Sequence, residues 1–240
     1  MEYNEFKNKL NEYLKQIDIE INEEQAKKFF KYMELLIEWN KNINLTAITD
    51  PEDIILKHFI DSITIEKYIQ KNAKIIDVGT GAGFPGIPVS IVREDVSITL
   101  MDSLNKRIKF LDEVAMENSL NNVDTIHSRA EELARNPDFR EKFDVATSRA
   151  VASLNVLLEY MLPFVKVGGY CICMKGSNIE EEIETSKKAL EVLNAKIEKI
   201  DSFKLPQSDF GRNIIIIKKL SNTSKKYPRK PGTPAKEPII

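Results

Sequence analysis

The apolar positions change their period once, near residue 73, and the change divides the chain into two architectures. Over the first 72 residues they recur at helical spacing. Phe6, Leu10, Tyr13, Leu14 and Ile17 share one face, and Phe29, Met33, Leu36 and Ile37 share another. Asn22 with Gln25 three positions later is a capping-box signal for the second of these helices. A third helix is predicted to start at Asp50-Pro51, where Asp50 caps, Pro51 suits the first turn and Asp53 complements the dipole. Between them, WNKNINLTAIT (39–49) reads as irregular, because its asparagines are turn formers.

From Lys74 onward short apolar runs alternate with helical ones. Strands are predicted at 74–78, 97–101, 123–127, 143–147 and 170–174. Helices are predicted from about Gly86 to Val92, through Ile108, Leu111 and Val114, and over 154–165 with Gly168-Gly169 as its stop. A charged helix, roughly 179–193, then leads into two β-rich runs, 195–205 and 213–220, which PQSDFGR joins as a hairpin. Repeated strand–helix units imply a mostly parallel sheet covered on both faces. The expected organisation is a helical cap (1–72), an α/β domain (73–220) and a basic, proline-rich, extended tail (221–240).

Composition narrows the class further. The 240 residues, 42% apolar and 30% charged, suit one ordinary α/β domain with an extension and argue against general disorder. No apolar leader opens the chain, and the longest pure aliphatic run, Ile214 to Ile217, is far too short to span a bilayer, so a cytoplasmic location without membrane contact is expected. Cys171 and Cys173 form neither a zinc knuckle nor a redox pair and read as reduced thiols; no metal site is expected. The net charge of -2 hides an asymmetry, because from Lys218 onward seven basic residues face one acid. Such a tail suits an anionic partner as well as it suits a solvated terminus.

The chemistry concentrates in DVGTGAGFPG, Asp77 to Gly86, directly after the first strand. Glycines at 79, 81 and 83 let the backbone turn sharply and approach a ligand closely. Asp102, with Ser103 beside it, ends the second strand nineteen positions after Gly83, where a carboxylate accepts from both hydroxyls of a ribose. These features describe a pocket for an adenosine-containing cofactor. Gly81 to Gly86 also satisfies the G-x-G-x-x-G dinucleotide fingerprint, so a nicotinamide oxidoreductase is a rival. S-adenosyl-L-methionine is favoured, because Asp77 offers its ammonium a partner while repelling a pyrophosphate. Pro85 and Pro88 also remove N–H donors that a pyrophosphate would use. A parallel sheet ending in an antiparallel hairpin likewise points to the class I, Rossmann-like methyltransferase fold.

Six blocks in order, WNKNINLTAITDPEDIILKHFIDSI, IIDVGTGAGFPGIP, HSRAEELA, FDVATSRAVASL, CICMKG and YPRKPGTPAKEPI, carry a resemblance. Over essentially its whole length the chain resembles the bacterial family that methylates N7 of a guanine in the decoding-region loop of 16S ribosomal RNA, also called glucose-inhibited division protein B. The resemblance implies that Gly79 and Phe84 line the cofactor site, that Ala130 and Glu131 hold the adenine end, and that Arg149 lies at the methyl-transfer centre. It also implies 16S ribosomal RNA, or the small subunit, as partner; no apolar seam demands a dimer, and a monomer is expected.

The residues themselves agree with such a reaction. Guanine N7 already presents a lone pair, so the attack needs no general base, and positioning and removal of water suffice. Thr147-Ser148-Arg149-Ala150 follows the fourth strand in place of an N-P-P-aromatic clamp for amino groups or a Pro-Cys nucleophile, and an arginine there donates to guanine O6 while leaving N7 free. Arg129, Lys175 and Arg212 stand near strand ends and are candidates for RNA contact, as are Arg229 and Lys230 in the tail. His58 and Asp61 either border the pocket or form a His–Asp contact that holds a helix, the commoner arrangement. A methyltransferase acting on another RNA, a protein or a small molecule is the nearer rival.

Overall fold

The computed structural model describes all 240 residues. Helices α1 (Tyr3–Lys15) and α2 (Glu23–Asn40) bury the faces that the periodicity marked: Phe6, Leu10, Tyr13, Leu14, Phe29, Met33 and Leu36 are all buried. The capping box forms as a reciprocal pair, with the Asn22 side chain accepting from Gln25 N and the Gln25 side chain from Asn22 N, each at 2.9 Å. The third helical segment starts at Pro51, and Asp50 Oδ1 accepts from the Glu52 and Asp53 amides. That segment is not uniform. After α3 (Pro51–Ile54) it widens into a π-helical stretch, Ile55–Ile60, before α4 (Asp61–Ile63). The wider turn lies where the buried side chains of His58 and Asp61 leave the helix.

The sheet has seven strands in the order β3-β2-β1-β4-β5-β7-β6. Strands β1 (Lys74–Val78), β2 (Ser97–Asp102), β3 (Val123–His127), β4 (Phe143–Arg149) and β5 (Val165–Lys175) run parallel, and the hairpin of β6 (Ala195–Lys204) and β7 (Gly211–Lys219) adds antiparallel through β7. Strand order reverses direction at β1 and β4, and ligands bind such sheets at the carboxyl ends of the strands where that happens. Helices α5 (Gly86–Val92), α6 (Asn105–Glu117), α7 (Ala130–Leu133), α8 (Leu154–Met161) and α9 (Glu180–Val192) cover the faces. Isoleucines of β7 alternate between the two sides: Ile214 and Ile216 join the core under α1 and α2, and Ile215 and Ile217 join the core under α8 and α9.

One boundary differs from expectation. Gly168-Gly169 does not stop a helix: α8 ends at Met161 and both glycines lie inside β5. A Cβ on Gly169 would stand 2.5 Å from the Asp144 carbonyl, so the glycine permits close approach of β4 at the register shift between Phe143 and Val145. Cys171 and Cys173 are free and buried, and burial pushes the Cys173 thiol up to about 12. No helix is long and apolar enough to cross a membrane.

The tail is pinned and not extended. Arg140 donates to the carbonyls of Thr223 (2.8 Å), Ser224 (3.2 Å) and Tyr227 (3.0 Å), and Arg135 donates to that of Pro228 (2.6 Å). Lys219, fully buried, reaches Glu141 Oε1 at 2.6 Å. A short helix, α10 (Thr233–Lys236), ends the strap.

Candidate active site

The loop after β1 is shaped by three glycines at positive φ, +70° at Gly79, +64° at Gly81 and +98° at Gly83. Their surroundings differ. A Cβ on Gly83 would stand within 2.9 Å of Ile87, Tyr32 and Leu111, whereas one on Gly81 would find nothing within 4 Å, because that backbone faces a cleft. Tyr32 of α2 donates its hydroxyl to the Ala82 carbonyl, so the N-terminal helices hold the loop directly. Below it, Asp77 is completely buried, and its Oδ2 accepts from Thr80 Oγ1 (2.7 Å) and Gly86 N (2.9 Å). Burial pushes the Asp77 carboxyl up to about 6, against those two bonds. Its Oδ1 has no partner in the chain.

Asp102 closes the other side. Its Oδ2 accepts from Gly81 N at 3.0 Å and its Oδ1 from Leu104 N at 2.9 Å. Arg107, from the first turn of α6, also reaches Oδ2 at 3.1 Å, a partner that the strand-end position does not reveal. The cleft between loop and Asp102 encloses about 350 Å³, with Gly79, Gly81, Phe84, Ser103 and Arg149 on its walls.

Arg149 stands where this cleft meets a second. Its side chain is 14% exposed and lies over the Phe84 ring, 4.8 Å from guanidinium carbon to centroid. Nη1 donates to the Lys57 carbonyl (2.9 Å) and to Asp61 Oδ2 (3.2 Å), and Nη2 donates to His58 Nδ1 (3.0 Å). Three of the five guanidinium hydrogens are thereby used. The His58 tautomer follows: Nδ1 must accept from an arginine, so the ring proton sits on Nε2 and is donated to Thr46 Oγ1 at 2.8 Å. Burial, then the neighbouring Arg149 charge, pushes the His58 imidazolium down to about 3, so the ring is neutral. It stacks on Phe84 at 4.3 Å between centroids. Asp61 does not touch His58; its two oxygens divide between Arg149 and Arg212 Nε (3.1 Å). The pair is therefore not a His–Asp contact holding a helix. Both residues orient arginines at the cleft.

The second cleft, about 800 Å³, opens between this arginine pair and the β6–β7 hairpin, and shares His58, Arg149, Ala150 and Val151 with the first. No group of three or more His, Cys, Asp or Glu is arranged to hold a metal ion.

A family model described as rRNA small subunit methyltransferase G matches residues 25–212. The chain belongs to this family. It is 59% identical over 222 residues to the "Ribosomal RNA small subunit methyltransferase G" of Acetivibrio thermocellus, covering 92% of this chain and 91% of that one. To the Clostridium novyi protein of the same name it is 51% identical over 233 residues, 96% of each chain. Among solved structures, M. jannaschii TYW2 in complex with AdoMet superposes with a TM-score of 0.52 at 18% identity, over 67% of this chain and 77% of that one. The [4+2]-cyclase SpnF superposes with a TM-score of 0.55 at 13% identity, over 82% of this chain and 96% of that one. At those identities the likeness concerns the fold, which is that of class I methyltransferases.

Several residues singled out in the sequence of this family member are placed or paired differently from expectation. Ala130 and Glu131 begin α7 as buried residues outside the cleft lining, and Glu131 Oε1 accepts the Gly232 amide of the tail at 2.9 Å. Lys175 is not free for phosphate: its side chain is 9% exposed, 2.6 Å from Glu182 and 2.6 Å from the Ala152 carbonyl, where it holds the loop after β4. Arg229 is not an RNA arm either, because it forms a two-point pair with the buried Glu159, at 2.7 Å and 3.0 Å. Arg212 keeps Nη2 unengaged beside the second cleft, while Arg129 and Lys230 are exposed and pair with no carboxylate. Asp77 lies beneath the loop and not in the cleft lining.

Proposed function

We propose that this protein transfers a methyl group from S-adenosyl-L-methionine to N7 of one guanine in the decoding-region loop of 16S ribosomal RNA. The observation that carries the reading is the meeting of two clefts at Arg149, one walled by the glycine loop and Asp102, the other by Arg149 and Arg212. The residues present fit the cofactor. Gly81 leaves open space where a side chain would stand, Asp102 and Ser103 face the position of a ribose, and the orphaned Asp77 Oδ1 lies under the loop. Gly79, Gly81 and Phe84 would hold its methionine and sulfonium end and Asp102 its ribose, while the family resemblance assigns its adenine to Ala130 and Glu131, which begin α7 outside the cleft lining. When bound, S-adenosyl-L-methionine supplies an electrophilic sulfonium methyl.

The chain's own groups supply position. Arg149 has its Nε–H and one Nη2–H uncommitted, enough to hold guanine O6 and leave N7 bare. Its geometry is set in advance by Lys57, His58 and Asp61, so little ordering remains when the base arrives. No free base stands at the junction: His58 Nδ1 is occupied by Arg149 and Asp61 by two arginines. That suits a nucleophile with nothing to deprotonate. The same reading has the enzyme working as a monomer in the cytoplasm, on RNA or on the small subunit. The test is transfer of labelled methyl to small subunits from a strain lacking this gene, with the labelled nucleotide identified by mass spectrometry. The expected product is 7-methylguanosine at one site, lost in Arg149→Ala; label on another base, or none, overturns the assignment.

A further inference from the structure

We infer that Phe210 is a stacking platform for a nucleobase of the RNA substrate, and so a positioning residue at the second cleft; the inference rests on the reading above. Phe210 ends the link between β6 and β7, where a polar hairpin tip would ordinarily carry turn residues. The residue is nevertheless 43% exposed to solvent, although its backbone is fixed: its carbonyl accepts from Leu205 N at 3.0 Å and its amide donates to Ser208 Oγ at 3.3 Å. A single exposed aromatic is ordinary. This one also lines the 800 Å³ cleft that opens onto Arg149, with the Lys57 ammonium 4.7 Å from its ring centroid.

An exposed aromatic beside a guanidinium with an unengaged Nη2 is the combination that binds an unstacked nucleotide: the ring takes the base and Arg212 takes a phosphate, while Lys57, held by Asp53 at 2.8 Å, stays against the ring. Arg212 follows Phe210 by two residues and is anchored to Asp61, so ring and guanidinium are held to the frame that positions Arg149. An amino-acid or small-molecule substrate would call for an enclosed pocket. Here the wall is open and its cations, Lys57, Arg149, Lys175 and Arg212, outnumber its carboxylates, Asp61 and Glu182, which favours a polyanion whose bases have been splayed out.

The test compares Phe210→Leu, Phe210→Ala and Phe210→Trp with the parent enzyme in three measurements. S-adenosylhomocysteine affinity by calorimetry should be equal in all four, since Phe210 lies outside the cofactor cleft. The kcat/KM for small subunits should fall by about 5- to 150-fold in the leucine and alanine variants, and by less than about threefold in the tryptophan variant, because stacking needs a π face and not bulk alone. Leucine matching the parent, or tryptophan failing with leucine, overturns the inference. Quenching of a single-stranded RNA carrying 2-aminopurine reads the same contact without turnover. Phe210-dependent quenching in an enzyme that methylates no small subunit would discard the guanine-N7 reaction and keep the platform; methylation with quenching independent of Phe210 would do the reverse.

Discussion

At the scale of single residues, the site is organised by charges that satisfy one another. Asp61, with its side chain 5% exposed, would be costly alone, but each oxygen receives a guanidinium. His58 completes the arrangement as a neutral acceptor, and its neutrality has a consequence for stability. An ordinary imidazole takes its proton near 6.5, whereas burial and Arg149 hold His58 to about 3. Between those values the unfolded chain binds a proton that the folded chain does not, so the contribution is present above 6.5 and lost as pH falls toward 3. Asp77 titrates in part of this window with the opposite sign, since its raised value favours the folded state as pH falls below about 6. The comparison must therefore be between proteins that share Asp77. Urea midpoints measured from about pH 7.5 down to about pH 5 should fall more steeply in the parent than in His58→Gln, whose amide does not titrate. Parallel slopes would contradict the neutral-histidine account. His58 and Asp61 were visible in the sequence as a pair one turn apart; their shared partner, about ninety residues away, was not.

At the scale of elements, the glycine loop shows that one motif contains positions of different worth. Gly81 and Gly83 both adopt positive φ, which costs an alanine about 1–2 kcal/mol. Only Gly83 is also enclosed, by Ile87, Tyr32 and Leu111, so a methyl there adds overpacking of about 1–3 kcal/mol. Denaturant titration should find Gly83→Ala the less stable of the two, and equal losses would sink the distinction. Gly81→Ala should spend its effect on the cofactor, because its methyl would project into open cleft space. The spacing of the glycines announced the turn, but which of them packs against α2 and α6 depends on helices distant in sequence. Gly168-Gly169 teaches the converse: a helix-stop pair proved to be a close approach between strands, since the same lack of a side chain serves both uses.

At the scale of the whole molecule, the basic tail divides into a strap and a free surface. Arg229 faces Glu159, whose side chain is 1% exposed, and Glu131 receives the Gly232 amide. Removing the guanidinium leaves the buried carboxylate with only the backbone amide of residue 229, and Arg229→Met should cost about 3 kcal/mol, near the low end for a broken buried pair because that amide remains and Arg229 itself is 26% exposed. Combining it with Glu159→Leu should restore most of that loss in urea denaturation. Additive losses would show that the tail binds for other reasons. The exposed lysines at 225, 226, 230 and 236 remain available to an anionic surface beside this strap.

Local pattern determined a good deal of this protein: the capping box, the start of the third helix, the alternation of strands and helices, the terminal hairpin, and the glycine loop followed by Asp102. These features are written in neighbours a few residues apart, where periodicity, turn chemistry and backbone freedom act. The tertiary structure alone decided which charges are spent and which are free. Lys175 and Arg229 read as cations for RNA, yet each lies against a carboxylate brought to it by the fold; Arg212 lies at the cleft because Asp61, 151 residues earlier, holds it there. A charge's partner is chosen by distance in space and by the cost of burying it unpaired, and neither quantity has a period along the chain.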